Sequence, residues 1–275
     1  MFTEEEIRQK IKTGRDFMKM PVRVNDDYKT DQYLRKPQPP LFKAAVSETI
    51  IPLPREFDDV VCEKDFLTVI NTRVSNRVYT EEPITLRQLS YLVWCAQGVK
   101  GLRGKRYATL RTVPCGGARH EFELYLAVQH VEGLERGYYH YLPERHALEL
   151  LSVTEDMKDF LKDSMAGQGF VSKASVVFYI SMVAYRAEWR YGIYTHRIAL
   201  VDSGYISQNI YLAATAAGLG SCAIGAVDFE LCDRVFGLDG EEEFIILGHP
   251  VGTVKPEDKQ KELDFYAFVK DFEKE

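Results

Sequence analysis

Apolar residues recur at helical spacing in two stretches of the chain that begin at Thr3 and Thr85. Each threonine is followed three residues later by Glu or Gln, a pattern in which side chain and backbone cap each other at a helix N-terminus. One helical face after the second threonine is formed by Leu86, Leu89, Leu92, Val93 and Ala96. The pattern predicts a helix from the first threonine to about Lys19 and a second that ends at Gly98. Asp65 is predicted to cap a shorter helix between them.

The hydrophobic period changes in the middle of the chain. Strand-like stretches occur at 122–130, 137–141, 147–151, 175–180 and 244–248. The second and third flank Pro143-Glu-Arg-His146 and predict a hairpin. Strands and helices are interspersed without a regular βαβ repeat. The pattern therefore predicts an α+β fold, with a central mixed or antiparallel sheet flanked by helices.

The N-terminal part of the chain has a different character from the rest. Five prolines, at positions 37, 39, 40, 52 and 54, favour an extended segment over regular structure. We therefore predict an N-terminal helix and extended arm over residues 1–60 and a main domain over 61–275. The long apolar stretch 198–220 contains Asp202, Ser207, Gln208 and Asn209, which predicts a buried core helix rather than a membrane span.

Composition narrows the classes of function. The chain has 275 residues and a formal net charge of -6, which disfavours nucleic acid as the main partner. Its five cysteines form no C-x-x-C pair, so neither a disulfide framework nor a metal site is expected. The acidic start MFTEEEIRQK does not have the form of a signal peptide. These features predict a cytoplasmic protein that binds no membrane.

Arg73, Ser75 and Arg77 occupy alternating positions, so their side chains share one side of an extended segment. Two guanidinium groups and a hydroxyl suit a phosphate group. The alternative is a solvated loop with ordinary surface arginines.

The small residues of 218–228 are a second candidate. Gly225 and Ala226 would let a planar ligand approach the backbone and receive an N–H hydrogen bond. The alternative is a helix C-cap that leads into a tight turn.

The turn Pro114-Cys115-Gly116-Gly117 allows two interpretations. Cys115 is a nucleophile if His120 lowers its pKa and a third group orients that base. Otherwise the bent backbone brings its amide groups close to another molecule, and we favour this second interpretation.

The aromatic and basic run 184–197 lies between a predicted strand and the buried helix. Its aromatic residues, Tyr185, Trp189, Tyr191 and Tyr194, are candidates to cover an aromatic ligand, and Arg186, Arg190 and Arg197 to supply charge. The alternative is a surface loop whose aromatic side chains seal the core.

Taken in order, these motifs resemble the FMN-dependent nitroreductase superfamily, in particular its SagB-type dehydrogenase branch, which includes azoline oxidases. The resemblance covers roughly residues 51–254. It depends on the stretches "TRVSNRVYTEEPITLRQLSYLVWCAQGV", "RTVPCGGARHEFELYL", "YRAEWRYGIYTHRIALVDSGYISQNIYLAATAAGLGSCAIGAVD" and "HPVG". It implies a nitroreductase-like fold, a homodimer with FMN at its interface, and NADH or NADPH as electron donor.

The resemblance also implies roles for individual residues. Arg73, Ser75 and Arg77 match the element that binds the phosphate and ribityl end of FMN, although Val74 stands where a second Arg is common. Pro114, Cys115 and Gly116 match a turn that approaches the flavin from the other subunit. Ile224, Gly225 and Ala226 match the turn beside the isoalloxazine ring, and Lys255 matches a late phosphate contact.

One position departs from the azoline oxidases. Their Lys-Tyr pair, which serves as catalytic base, is replaced here by Arg190-Tyr191, and an arginine is too basic to accept a proton. Tyr191 is then the candidate proton donor or acceptor. We therefore expect an FMN-dependent oxidoreductase of small-molecule substrates. The alternatives are a SagB-type azoline or peptide dehydrogenase, a Cys115/His120 hydrolase or transferase, and a non-catalytic flavin-binding partner protein.

Overall fold

The computed structural model describes residues 2–19, 28–261 and 263–264. Its helices are α1 (Glu4–Met18), α2 (Phe66–Thr72), α3 (Leu86–Gln97), α4 (Met157–Asp163), α5 (Ala184–Tyr191), α6 (Thr195–Ala216) and α7 (Phe229–Phe236). Its strands are β1 (Ile50–Pro52), β2 (Val99–Arg103), β3 (Ala108–Arg111), β4 (Phe122–Val128), β5 (Gly137–Leu142), β6 (Ala147–Val153), β7 (Val176–Val183), β8 (Gly220–Ser221) and β9 (Glu243–Gly252).

The main sheet is antiparallel and has the strand order β1-β6-β5-β4-β7-β9-β8. Strands β4 and β7 form its centre and pair from Phe122 opposite Met182 to Val128 opposite Val176. Every residue of β4 is buried, which indicates that both faces of the sheet are covered. This confirms the predicted α+β class with helices around a central sheet.

Two hydrophobic clusters lie on the two faces of this sheet. Leu124 and Leu126 of β4 belong to the cluster that contains α3 and α6, whereas Tyr125 and Ala127 belong to the one that contains α4 and α7. Since successive residues of a strand point to opposite faces, the helices form two layers with the sheet between them.

The helix ends follow the predicted caps. Thr85 Oγ1 accepts from the Gln88 N–H at 3.1 Å, while the Gln88 side chain accepts from the Thr85 N–H at 2.9 Å. The Thr3 capping box is also present, and Asp65 caps α2. Gly98 ends α3 as predicted, without the left-handed backbone typical of a glycine cap.

The N-terminal segment meets the sheet. Residues 36–49 are largely without regular secondary structure, as its prolines indicate, and β1 then pairs with β6 along the edge of the sheet. The boundary at residue 60 stays a prediction. Within the described residues, no helix is long and apolar enough to cross a bilayer.

Three features differ from the sequence-based expectations. The run 184–197 is not a surface loop, because it forms α5 and the start of α6. The predicted strand 244–248 extends to Glu243–Gly252, and β2 and β3 form a separate hairpin that the hydrophobic pattern did not predict.

A buried network of charged side chains crosses the central strands. Glu123 of β4 pairs with Arg186 of α5 at 2.5 Å and with His140 of β5 at 3.1 Å. His140 also meets Glu149 of β6 at 2.6 Å, so burial, which disfavours its cation, is outweighed and its pKa is raised by the two carboxylates. Arg186 is thus engaged in the core and does not supply charge to a ligand, contrary to the expectation above.

The close contact at Gly98 leads to a stability prediction. A Cβ at this position would lie 2.5 Å from the Trp94 ring and 2.6 Å from the Trp94 carbonyl oxygen. Gly98→Ala is expected to lower the free energy of unfolding by about 1–3 kcal/mol through overpacking. Gly101→Ala is the matched control in the adjoining hairpin, since a Cβ there meets nothing within 4 Å. Equal urea midpoints for the two variants would contradict the packing argument.

Candidate functional site

Tyr211 of α6 joins two of the predicted site segments. Its hydroxyl lies 3.0 Å from Ser75 Oγ and accepts the Ala223 N–H at 2.7 Å. The Arg73 guanidinium lies 5.1 Å from the centre of the Tyr211 ring, within cation–π range. One aromatic side chain therefore brings the Arg73–Arg77 segment next to the glycine turn after α6.

The Arg73–Arg77 segment has the alternation that its sequence predicts. Val74 and Asn76 are buried, whereas Arg73 and Ser75 are half-buried and Arg77 is exposed. Ser75 forms a parallel bridge with Ser221 of β8, which holds the segment against the sheet. Neither arginine has an acidic partner among the residues that the structure describes, so both guanidinium groups are available to an anion.

The turn Ile224–Ala226 follows β8, the strand that bridges to the Arg73–Arg77 segment, and part of its backbone is accessible. Ile224 is buried and exchanges backbone hydrogen bonds of 2.8 and 3.0 Å with Gly248 of β9. Gly225 and Ala226 are exposed, and a Cβ at Gly225 would meet nothing within 4 Å. Within the described chain, the N–H groups of these two residues donate to no other group. The turn is therefore anchored at one end and accessible at the other.

Lys255 follows β9 near the Arg73–Arg77 segment. Thr80 donates its N–H to the Thr253 carbonyl at 3.0 Å, and the Val254 side chain packs at Gly220 beside Asn76. Lys255 itself is exposed. The structure thus places this lysine next to the segment that continues from Arg77.

The turn Pro114–Gly117 forms a second cluster against the N-terminal half of α6. Asp202 Oδ2 accepts the Gly116 N–H at 2.7 Å. Gly117 has φ of 57°, and a Cβ there would lie 2.7 Å from the Tyr191 hydroxyl and 2.4 Å from Arg190 Nε. The turn therefore packs directly on the Arg190-Tyr191 pair, so Pro114, Cys115, Gly116 and Tyr191 are neighbours.

The two clusters lie at different levels of α6. Asp202 and Tyr211 are nine positions apart, which corresponds to about 14 Å along a helix. A single chain therefore does not bring all the predicted site residues together.

Arg190 contacts polar side chains and has no acidic partner in the part of the chain that the structure describes. Its Nη1 lies 3.2 Å from Gln32 Oε1 and donates to the Tyr107 hydroxyl at 3.2 Å. Arg190 thus serves as a hydrogen-bond donor to these two side chains. The role of Tyr191 as proton donor or acceptor stays a prediction.

Cys115 is surrounded by acids rather than by cations. Its thiol donates to Glu121 Oε2 at 3.0 Å and accepts the His120 N–H at 3.0 Å. Burial raises the pKa of the Cys115 thiol, and the carboxylates of Glu121 and Asp202 raise it further. Burial also lowers the pKa of His120 to about 3, aided by the nearby Arg111. This environment favours a protonated thiol and disfavours an activated nucleophile.

Glu121 and Asp202 form a buried acid pair beneath the same turn. Burial raises the pKa of Glu121 to about 7, and Asp202 adds to the shift. Burial raises the pKa of Asp202 as well. The pair therefore retains a proton at pH values where exposed carboxyl groups have lost theirs.

Sequence patterns did not identify several of these residues. Tyr211, Asp202 and Glu121 act through contacts with segments far away in the chain. The one available signal was the polar character of Asp202 within an apolar helix, since a buried carboxylate needs a partner.

The fold places the chain among α+β proteins with an antiparallel sheet between two layers of helices, and comparison with known proteins specifies the family. The nitroreductase family model matches residues 70–253, and the chain belongs to this family. It is 36% identical over 158 residues to the nitroreductase-family protein MJ1384 of Methanocaldococcus jannaschii, which covers 58% of this chain and 77% of that protein.

Two further similarities concern a processing protein and a solved structure. The chain is 30% identical over 138 residues to the trifolitoxin-processing protein TfxB of Rhizobium leguminosarum bv. trifolii, covering 47% of this chain and 36% of that protein. A nitroreductase-family crystal structure from Ralstonia eutropha superposes with a TM-score of 0.61 at 26% identity, covering 80% of this chain and 96% of the other. The family membership supports an oxidoreductase of nitroreductase-like fold.

The acid pair generates a prediction on pH dependence. A carboxyl group whose pKa is raised in the folded state binds more protons there than when unfolded, so stability falls as pH rises from about 4.3 towards 7. Glu121→Gln replaces the protonated acid with a neutral group of the same shape. The loss of thermal stability between pH 5 and pH 8 is therefore expected to be smaller in this variant than in the wild type. An identical pH profile would contradict the raised pKa of Glu121.

Proposed function

We propose that the chain is an FMN-dependent oxidoreductase that acts as a homodimer and takes electrons from NADH or NADPH. The observation that carries the proposal is that Tyr211 and β8 join the Arg73–Arg77 segment, whose two guanidinium groups have no acidic partner among the described residues, to the turn that contains Gly225 and Ala226. A phosphate needs cations, and a planar ring needs a surface without side chains.

The residues present fit FMN. Arg73, Ser75 and Arg77 would hold its phosphate and ribityl end, and Lys255 would add a further cation. Ile224, Gly225 and Ala226 would lie along the ring edge, where two free N–H groups can donate to the flavin. FMN, when bound, supplies the hydride-transfer chemistry, so no protein nucleophile is needed.

A second copy of the chain would complete the site. Leu200, Val201 and Tyr205 of α6 are 55, 52 and 42% exposed, an apolar surface that a partner would cover. The turn at Pro114, Cys115 and Gly116 lies about 14 Å along α6 from Tyr211, by the rise of a helix. We infer that each copy offers this turn to the cofactor held by the other.

Tyr191 is the proposed proton donor or acceptor for the substrate. It packs on the Gly116-Gly117 turn, so it would reach the same shared site. All five cysteines are free, in keeping with the proposed cytoplasmic location.

A SagB-type azoline or peptide dehydrogenase is the second candidate, favoured by the similarity to the trifolitoxin-processing protein. The substitution of Lys by Arg190 argues against azoline oxidation by a lysine-assisted base, because an arginine cannot accept the proton. We therefore propose an FMN-dependent oxidoreductase without specifying its organic substrate.

The phosphate site is tested by flavin titration. Arg73→Gln removes one guanidinium and is expected to raise the dissociation constant of FMN about 10- to 100-fold, the value of a charge-assisted hydrogen bond. Arg87→Gln is the control, since this arginine of α3 pairs with Asp59 on the surface. The measurement is the quenching of FMN fluorescence, followed anaerobically by bleaching of the flavin absorbance with NADPH or NADH.

A wild-type protein that stays colourless and does not bind added FMN would overturn the cofactor assignment. Equal FMN affinity in the two arginine variants would overturn the role of Arg73 alone.

Two further substitutions separate flavin chemistry from cysteine chemistry. Tyr191→Phe is expected to lower kcat about 10²- to 10⁴-fold with FMN bound as before, if this hydroxyl transfers a proton. Cys115→Ser is expected to keep both flavin binding and turnover, because burial and the neighbouring acids raise the pKa of its thiol and so disfavour the reactive thiolate. Turnover lost in Cys115→Ser, together with selective alkylation of Cys115 in the wild type, would favour the hydrolase or transferase alternative.

A further inference from the structure

A cavity of about 790 Å³ lies outside the two clusters already described. Three segments enclose it: the arm at 38–45, the turn of the β2–β3 hairpin at 105–107, and the β5–β6 turn at 142–145. Its size suits a small organic molecule rather than an inorganic ion.

The arm that forms one wall is fastened to the core. The Leu41 carbonyl accepts from Arg111 Nη2 at 3.4 Å, and Lys43 Nζ donates to the Tyr125 hydroxyl at 2.7 Å and also pairs with Glu243. The arm presents Pro39, Pro40 and Phe42 to the cavity. This wall is therefore fixed and largely apolar.

The opposite rim is cationic. Lys105 and Arg145 line the cavity and have no acidic partner among the residues described, whereas Arg106 is paired with Glu144 at 2.8 Å. Both are exposed, so their charge is available without a desolvation penalty. An excess of positive charge at one cavity contrasts with the net charge of -6 for the whole chain.

The cavity adjoins the Arg190-Tyr191 pair. Tyr107 lines it, and the Tyr107 hydroxyl lies 3.2 Å from Arg190 Nη1 and 2.8 Å from Gln32 Nε2. The Arg119 guanidinium lies 4.8 Å from the Tyr107 ring centre, and this cation–π contact helps to hold the ring in place. A molecule in the cavity would therefore contact the residue that holds Arg190 in place.

We propose that this cavity binds a small organic anion, with its apolar body against Pro39, Pro40 and Phe42 and its carboxylate or phosphate between Lys105 and Arg145. Neither Arg73 nor Arg77 lines the cavity, so the site is separate from the proposed flavin phosphate site. A carboxylate ligand and a phosphate ligand would both carry an anionic group on an apolar body. The probes below distinguish between the two.

The test uses protein saturated with FMN, so that the proposed flavin phosphate site is filled. Phenyl phosphate and phenylacetate are titrated by isothermal calorimetry, with neutral phenylacetamide as the reference compound. At least one anion is expected to bind saturably and more tightly than the amide, and the affinity is expected to fall with added salt. Tighter phenyl phosphate assigns a phosphate ligand, and tighter phenylacetate assigns a carboxylate ligand.

The double variant Lys105→Gln/Arg145→Gln is expected to weaken anion binding about tenfold, with unchanged FMN absorbance and thermal midpoint. Lys100→Gln is the matched control, because this exposed lysine of the same hairpin does not line the cavity. Equal affinity for the anions and the amide, no saturable anion binding, or undiminished binding in the double variant would each overturn the proposal. If FMN does not bind, the double variant still decides the proposal, because anion binding at Arg73 and Arg77 would not weaken when Lys105 and Arg145 are replaced.

Discussion

The hydrogen bond from the Gly116 N–H to the Asp202 carboxylate shows how this structure is organised around one helix. Helix α6 buries one face against the core, and this face includes several polar side chains. Buried polar groups need partners, and Asp202 together with three further side chains of α6 finds one in another part of the chain. Ser207 lies 3.1 Å from His249 Nδ1 of β9, Asn209 donates to the Cys95 carbonyl of α3 at 2.9 Å, and Tyr211 meets Ser75. The helix therefore fixes the positions of both clusters.

Local chemistry was readable from the sequence, whereas contacts between distant segments were not. The Thr85 capping box needs only residues three positions apart, and the outward placement of Arg73, Ser75 and Arg77 follows from the alternation of an extended chain. The meeting of Ser75 with Tyr211 spans 136 positions and left no periodic signal. Arg186 illustrates the same limit, because its pattern suggested a ligand contact and the fold instead gave it a buried partner in Glu123. The β2–β3 hairpin was missed since its strands are short and do not follow the usual alternation: in β3 the polar Thr109 and Arg111 are buried, whereas Leu110 is exposed.

The environment of Cys115 follows from the same acid groups that hold its turn. Asp202 fixes the Gly116 amide, Glu121 accepts from the thiol, and both carboxyl groups are buried close to the sulfur. An activated thiolate needs neighbouring cations or a helix N-terminus. Besides burial, the groups that raise the pKa of this thiol are instead two acids, Glu121 and Asp202. In this environment Cys115 contributes to packing and donates a hydrogen bond to Glu121. The structure therefore supports a role for this residue in the geometry of the turn rather than in thiol chemistry.

The separation of the two clusters has a consequence for assembly. On the proposed function, the cations near Arg73 and the turn near Cys115 act on one flavin only when two copies meet across the exposed face of α6. A ligand bound by both copies stabilises the dimer by the same free energy with which dimerisation strengthens ligand binding. The exposed apolar surface of α6 is unfavourable to leave in water, and a second copy of the chain would cover it. Cofactor binding and folding of the interface are then parts of a single equilibrium, and the affinity for FMN should depend on protein concentration near the dissociation constant of the dimer.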